Sequence, residues 1–473
     1  MNNVRGSKFV GAIKNRKEIL RHDNLGHRRI MLDALESAIA AVQPRKLLET
    51  SLSITRGKMK IKQLTITLDL SKFDKILVVG GGKAGGGMAE TIESLIPETY
   101  DLVGSVTIPE GTSEKFHTNR VQLHEATHPI PSLKGVVSTE KIVSVLGTGT
   151  ADSLVLCLIS GGGSALMTLP AVDISLEEKI ATTSLLLKSG AAIDEINCVR
   201  KHLSRIKGGQ LVRYANGALV ISFILSDIIG NPLESIASGP TVPDPTTYED
   251  ALKILSRYGI EDSAPPAVLD HLRKGKSGLV RETPKVGDPI FSKVKNCILG
   301  DNSVACRASV KSLKKRGSFK VYYLGSSWRG EARDLGEDFA SFCKSIQQPN
   351  SGFKNPTSFV WGGEATVTVR GTGKGGRNLE QALAALDALK EKNGITMAFL
   401  GTDGIDGFSD AAGAIIDSHT FVVAKAKNLD AKIFLARNDS HSFFKSVEDG
   451  LINSGPTGTN VNDIGIALIE KAS

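Results

Sequence analysis

Apolar residues fall into two patterns along this chain. Four runs in the first half are apolar almost without interruption: "KILVVG" (75–80), "LVGSVTI" (102–108), "SLVLCLIS" (153–160) and "GALVISFILSD" (217–227). Between and before them, apolar positions recur at helical spacing in "RRIMLDALESAIAAVQPRKLLE" (28–49), "KAGGGMAETIESLI" (83–96) and "LEEKIATTSLLLKSG" (176–190). Continuous apolar strands alternating with amphipathic helices predict a parallel sheet covered on both faces. The pattern restarts with "NCILGDN" (296–302), "KVYYLGSS" (320–327), "TSFVWGGEATVTV" (357–369) and "ITMAFLGTDG" (395–404). Here "ATVTV" alternates in strand fashion, which predicts a mixed sheet. "LEQALAALDALKEK" (379–392) and "SFFKSVEDGLINSG" (442–455) predict helices.

A stretch rich in Pro, Gly and charge, "EDSAPPAVLDHLRKGKSGLVRETPKVGDPI" (261–290), separates the two series and predicts a linker. The expected organisation is a basic extension over 1–27, an α/β domain over 28–262 with a Rossmann-like parallel sheet, a linker over 263–290 and a second α/β domain over 291–473. A cleft between the two domains is the expected place for a site. At 473 residues the chain exceeds what one core serves.

The chemistry predicted from sequence lies where strands end. "GGGKAGGG" (80–87) follows the first strand, and Gly80, Gly82 and Gly85 match G-x-G-x-x-G, with Asp101 where a ribose-binding acid would be sought. Lys83 inside the turn argues for an anion other than a dinucleotide, with Gly81 and Gly82 beside it. "LISGGGSAL" (158–166) places Ser160, Gly161, Gly162, Gly163 and Ser164 after another strand but lacks the G-x-S-x-G of a serine hydrolase. "RGTGKGGRNLEQAL" (370–383) leads through Lys374, Gly375, Gly376 and Arg377 into a helix that Asn378 could cap. Each loop also has a plain reading as a close-packed or surface turn. Asp227, Asp403 and Asp406 follow strands, and Mg²⁺ in phosphoryl transfer needs only one or two carboxylates besides the phosphates. His128, before Pro129, is either a proton-transfer group or a turn residue. His202 lies among Arg200, Lys201, Arg205 and Lys207, which predicts a lowered pKa and no metal site.

Charge and cysteine content change the picture little. The net charge of +8 comes with only 5% aromatic residues and no nucleic-acid module, so a solvated basic surface is expected rather than nucleic-acid binding. Five scattered cysteines without C-x-x-C fit a reducing cytoplasm, and no apolar run predicts a membrane span.

Taken together, "GGGKAGGGMAE", "HPIPSLKG", "LISGGGSAL", "INCVRKHLSRIKGGQL", "SDIIGNPLESIASGPTVPDPTT", "GGEATVTVRGTGKGGRNLE", "GTDGIDGFSDAAGA" and "GPTGTNVND" resemble, in order, the glycerate 2-kinases of the MOFRL type. The resemblance runs from about Arg28 to the C-terminus. It implies ATP-dependent phosphorylation of D-glycerate at the 2-hydroxyl, with ATP and Mg²⁺ required, two α/β domains, and no nucleic-acid or membrane partner; a homodimer is compatible with it. It places the family's essential lysine on Lys83 and its essential arginine on Arg377. Acids that bind metal or act on the hydroxyl fall on Asp227 and Asp403, and Lys201 joins the glycine loops as a binding residue. Asn231 stands where many relatives have an acid, and "FSDAAG" keeps Asp410 where they often read "PTDAAG". An NAD(P)H-dependent hydroxypyruvate reductase is the rival reading, because it shares the three-carbon acid and the first glycine loop.

Overall fold

A computed structural model describes residues 11–22, 26–354 and 356–470. The chain forms two compact units, one of residues 47–299 and the other of residues 1–46 with 300–473. The outer parts of the predicted N-terminal extension, 1–10 and 23–25, lie outside the described residues.

The unit 47–299 is built on a six-stranded parallel sheet. In spatial order its strands are Val121–Ala126, Leu102–Pro109, Ile76–Gly81, Leu154–Ser160, Leu219–Leu225 and Val294–Gly300. Numbered along the chain within this sheet, the order is 3-2-1-4-5-6, that of a doubly wound dinucleotide-type fold. Ile76 pairs in register with both Leu102 and Leu154, so Ile76–Gly81 and Leu154–Ser160 flank the point where the winding reverses. Every residue of these two strands is buried, which explains their unbroken apolar runs. Leu77, Val79, Val155, Cys157 and Ile159 pack with Ile142 and Leu146 of the helix Leu133–Gly147.

Four helices make a second layer of this unit: Leu176–Lys188, Ile193–His202, Tyr248–Arg257 and Pro266–Lys276. The first is opened by a capping box, Ser175 with Glu178. Their shared core includes Leu186, Val199, Leu255, Val268 and Leu272. A three-stranded antiparallel sheet over Leu52–Thr55, Lys58–Ile61 and Ile66–Asp69 was not anticipated from the sequence.

The other unit carries a seven-stranded mixed sheet. Its central strand, Asp463–Ile469, runs antiparallel to both Thr357–Thr366 and Ile395–Gly401. The helix Arg377–Leu389 buries one face into a core with Phe339, Phe399 and Phe443.

The predicted segmentation differs from the structure in three places. Residues 266–276, read as linker, form a helix, because Pro265 and Pro266 open it while Val268 and Leu272 bury themselves. "NCILGDN" closes the first sheet instead of opening the second, since Val294–Gly300 lies beside Leu219–Leu225. The helix His27–Ala41 belongs with the C-terminal residues: it packs on the helix Asn302–Arg316, and Ser309 donates a hydrogen bond of 2.9 Å to the Ala34 carbonyl. Buried Arg28 fixes that placement. Its guanidinium donates to Asp449 at 2.6 and 2.7 Å and to Asp417 at 2.8 and 3.0 Å. The alternating "ATVTV" contributes only Ala365 and Thr366 to a strand, because the chain then leaves the sheet and Thr368 bonds Glu331.

Candidate active site

At the switch point of the parallel sheet the first two glycine loops are tied together. Lys83 N donates to the Gly161 carbonyl at 2.8 Å, and Ala84 N donates to Ser160 Oγ at 3.0 Å. Gly82 is needed there: it has φ of +138°, and a methyl on it would lie 2.6 Å from the Ser160 carbonyl oxygen. The two loops divide the chemistry. Gly82 N also bonds within the protein, to Thr107 O at 3.1 Å, so the first loop offers the Lys83 ammonium rather than a nest of amides. The N–H groups of Gly162, Gly163 and Ser164 find no acceptor among the described residues, so the second loop offers amides.

Asp227 follows the strand Leu219–Leu225 and lies against Gly161, where an added Cβ would come within 2.6 Å of its Cγ. The His128 ring and the Lys83 stem both approach Gly162, 3.0 Å and 3.4 Å from where its Cβ would stand. Partial desolvation, helped by the Lys83 charge, holds His128 below its ordinary pKa. Lys83, Asp227, His128 and residues 160–164 therefore share one locality. Asn231 has φ of +56° and its N–H bonds Ile228 O at 3.1 Å, so it shapes the turn after Asp227 in a conformation asparagine tolerates.

Asp101, the sequence's candidate ribose acid, is at the wrong end of the sheet. It precedes the strand Leu102–Pro109, whereas the glycine loops follow the carboxyl ends of parallel strands. It lies 4.0 Å from Lys75. The acid after that strand, Glu110, is a surface residue paired with Lys134.

Ser164 is the centre of a cationic group the sequence did not predict. Arg200 Nη2 donates to its Oγ at 2.7 Å, Lys207 Nζ lies 3.0 Å from the same oxygen, and Ser238 Oγ is 2.8 Å away. Lys201, the predicted binding residue, is buried elsewhere, in an ion pair with Asp244 at 3.2 Å. The sequence reading expected neighbouring cations to lower the pKa of His202; in the structure burial alone works in that direction. Hydrogen bonds to the Cys198 carbonyl at 2.8 Å and to Glu282 at 2.9 Å overcome this, with the Asp244 charge adding, and raise it to about 9.

In the other unit the third loop is ordered by its neighbours. Asn438 Oδ1 accepts from Arg370 N and Gly371 N at 2.7 and 3.0 Å, and Asp439 Oδ1 accepts from Lys374 N at 2.9 Å. Gly376 meets the Asp406 loop too closely for a side chain. Arg377 Nε is 2.6 Å from Asp463 and Nη1 is 3.3 Å from Glu364. Burial works against its charge, but these acids keep it firmly protonated. Asn378 does not cap the helix. Gly376 holds the cap position, and Asp406 accepts from Asn378 N at 3.0 Å and Leu379 N at 2.8 Å. The buried Asn378 amide instead donates to Asp406 and Asp463 at 3.1 and 3.0 Å. Burial raises Asp406 to about 6 despite those bonds, and its cap role takes it out of the metal-ligand candidates. Asp403 follows the strand Ile395–Gly401 and accepts from Ile405 N at 3.3 Å.

The first sheet and its loops are those of a doubly wound α/β protein with glycine turns, a lysine and a carboxylate gathered at the switch point. The family model described as a domain of unknown function (DUF4147) matches residues 30–273, and the MOFRL family model matches residues 357–463. The chain is 39% identical to the glycerate 2-kinase of Pyrococcus horikoshii, over 93% of this chain and 97% of that protein. It is 38% identical to a putative hydroxypyruvate reductase of Agrobacterium vitis, over 84% and 87%. The crystal structure of a glycerate kinase from Thermotoga maritima superposes with a TM-score of 0.82 at 36% identity, covering 93% of this chain and 99% of that one. The chain belongs to the DUF4147–MOFRL family.

Proposed function

We propose that this protein transfers the γ-phosphoryl group of ATP to the 2-hydroxyl of D-glycerate, giving 2-phosphoglycerate and ADP. The observation that carries the reading is near-full-length similarity to a glycerate 2-kinase, with Lys83 held at the switch point where an α/β sheet receives its ligand. The Lys83 ammonium and the amides of residues 162–164 face developing phosphate charge, and Arg377, the position of the family's essential arginine, is assigned a charge-neutralising role. Its ion pairs hold the guanidinium oriented and charged before substrate arrives. Asp227, fixed against Gly161, orients the 2-hydroxyl and accepts its proton. In a loose transition state this positioning outweighs base strength.

One carboxylate suffices for Mg²⁺ carried on substrate phosphates, and either Asp227 or Asp403, each a single acid after a strand, would supply it; the described residues hold no cluster of three metal-ligating side chains. Bound there, the ion would neutralise phosphate charge. No helix of the described residues is long and apolar enough to cross a membrane, and the five cysteines are buried free thiols, which suits a reducing compartment such as the cytoplasm.

The reductase reading has the Agrobacterium relative's name in its favour. Against it, Asp101 stands at the sheet end remote from the glycine loops. Phosphorus NMR of the protein with ATP, Mg²⁺ and D-glycerate decides. A 2-phosphoglycerate resonance is expected, with kcat falling by about 10³-fold in Lys83→Ala and Arg377→Ala. NADH oxidation with hydroxypyruvate and no phosphorylated product would overturn the reading.

A further inference from the structure

A buried cation normally carries a counter-charge, because an unpaired one costs several kcal/mol. Arg28 and Lys201 obey this rule, the first with Asp417 and Asp449, the second with Asp244. In the unit 47–299 two buried lysines, Lys179 and Lys207, do not, and the half-buried Arg200 joins them. Lys179 points inward from the helix Leu176–Lys188, is 3% exposed, and its Nζ has no hydrogen-bond partner. Lys207 is 1% exposed, and its Nζ meets only neutral oxygens: Ser164 O at 2.7 Å, Ser164 Oγ at 3.0 Å and Met167 O at 3.3 Å. Arg200 also bonds Ser164 Oγ. Among the described residues no carboxylate forms an ion pair with any of the three. The like charges act on one another instead: Arg200 bears on Lys179, and Arg200 and Lys179 bear on Lys207.

The backbone beside this group is strained. Ala237 and Ser238 have φ of +50° and +61°, followed by Gly239 at +61°, and this bend brings Ser238 Oγ onto Ser164 Oγ. Two successive non-glycine residues in the left-handed region cost stability and persist where a site needs the geometry.

We propose that Arg200 and Lys207, gathered around Ser164, form together with the nearby Lys179 the subsite that takes the carboxylate of the acid substrate. The assignment rests on the kinase reading. A carboxylate supplies the missing negative charge in a group of two oxygens, where a triphosphate would carry far more charge and bulk. Ser160 and Gly161 of the same turn bind the loop of Lys83, so an acid of three carbons held at Ser164 stays beside the phosphoryl-transfer residues. Burial and the neighbouring guanidinium push Lys179 down to about 7, and Lys207 is lowered in the same sense. The subsite should therefore take up protons as it takes up the anion.

The test is calorimetric titration of full-length wild type and Lys179→Met with D-glycerate and, separately, with ATP–Mg²⁺, in two buffers of different ionisation enthalpy. Thermal unfolding without ligand accompanies it. In Lys179→Met the Kd for glycerate should rise by about 100-fold and proton uptake should fall, while the Kd for ATP stays within about threefold. The unliganded variant should melt at or above the wild-type temperature, because methionine removes a buried amine that has no hydrogen-bond partner. Unchanged glycerate affinity, loss of ATP affinity instead, or a lower melting temperature would each overturn the assignment. Ser164→Ala, which removes no charge, should weaken glycerate by about tenfold and leave ATP alone; failure to do so would count the same way. Wild type that makes 2-phosphoglycerate while Lys179→Met binds glycerate normally removes only the subsite. Wild type that neither binds nor phosphorylates glycerate removes both readings.

Discussion

Replacing Gly161 by alanine adds one methyl group and isolates the placement of one carboxylate. Gly161 lies outside the left-handed region, so alanine suits its backbone. The new Cβ would stand 2.6 Å from Asp227 Cγ. An ordinary carbon–carbon contact is roughly 3.5–4.0 Å, so the Asp227 carboxyl must retreat by about 1 Å. A displacement of about 1 Å at the reacting groups can cost about 10²-fold in rate. With ADP release as the assay, Gly161→Ala should lower kcat for glycerate phosphorylation by about 100-fold and move the melting temperature by no more than a few degrees. Gly147, at the end of the helix Leu133–Gly147, has nothing within 4 Å of a built Cβ, so Gly147→Ala provides the control with unchanged turnover. If Gly161→Ala keeps activity within about threefold of wild type, then Asp227 does not position the hydroxyl and the mechanism above loses its acid.

Arg28→Ala would strand the buried Asp449 and the partly buried Asp417, at a cost of about 3–5 kcal/mol and a fall in melting temperature on the order of 10 °C. Calorimetry showing a fall of under 2 °C would contradict it. His202 has a folded pKa of about 9, above its unfolded value of about 6.5. Its stabilising contribution is therefore complete below pH 6.5 and is lost as pH rises through 9. Urea titrations at pH 6 and pH 9.5 should show a loss in wild type that is absent in His202→Phe; equal losses in both would refute the assignment.

Strand–loop–helix order was legible in the sequence because fully buried parallel strands must be continuously apolar, and the first two glycine loops stand where such strands end. The candidate residues Lys83, Ser160 and Ser164 on those loops, and Asp227 after the next strand, could be singled out for the same reason. Residues whose meaning depends on distant partners were not. Arg200, Lys201, His202 and Lys207 are close in sequence, yet Lys201 and His202 turn to Asp244 and Glu282 while Arg200 and Lys207 turn to Ser164. Helical phase separates Arg200 from Lys201 and His202, and Lys207 lies past the helix end, but nothing local reveals where the acids are. Lys179 was hidden inside a run read only for its apolar spacing. Asp406 looked like a metal ligand because the helix start it caps comes from another part of the chain, 28 residues earlier.

The helix His27–Ala41 is synthesised early but completed late. Its Arg28 needs Asp417 and Asp449, which follow by 389 and 421 residues. At about 5–20 residues per second, a ribosome takes roughly 20–80 s to deliver the first of them. All of residues 47–299 emerge meanwhile and can complete their own sheet. Throughout that interval the helix carries an apolar stripe of Met31, Leu35 and Ala38 with no finished surface to receive it. The nascent chain therefore has a defined window in which a chaperone would find its target at this helix, and truncation before the helix Asn302–Arg316 leaves that stripe without its packing partner.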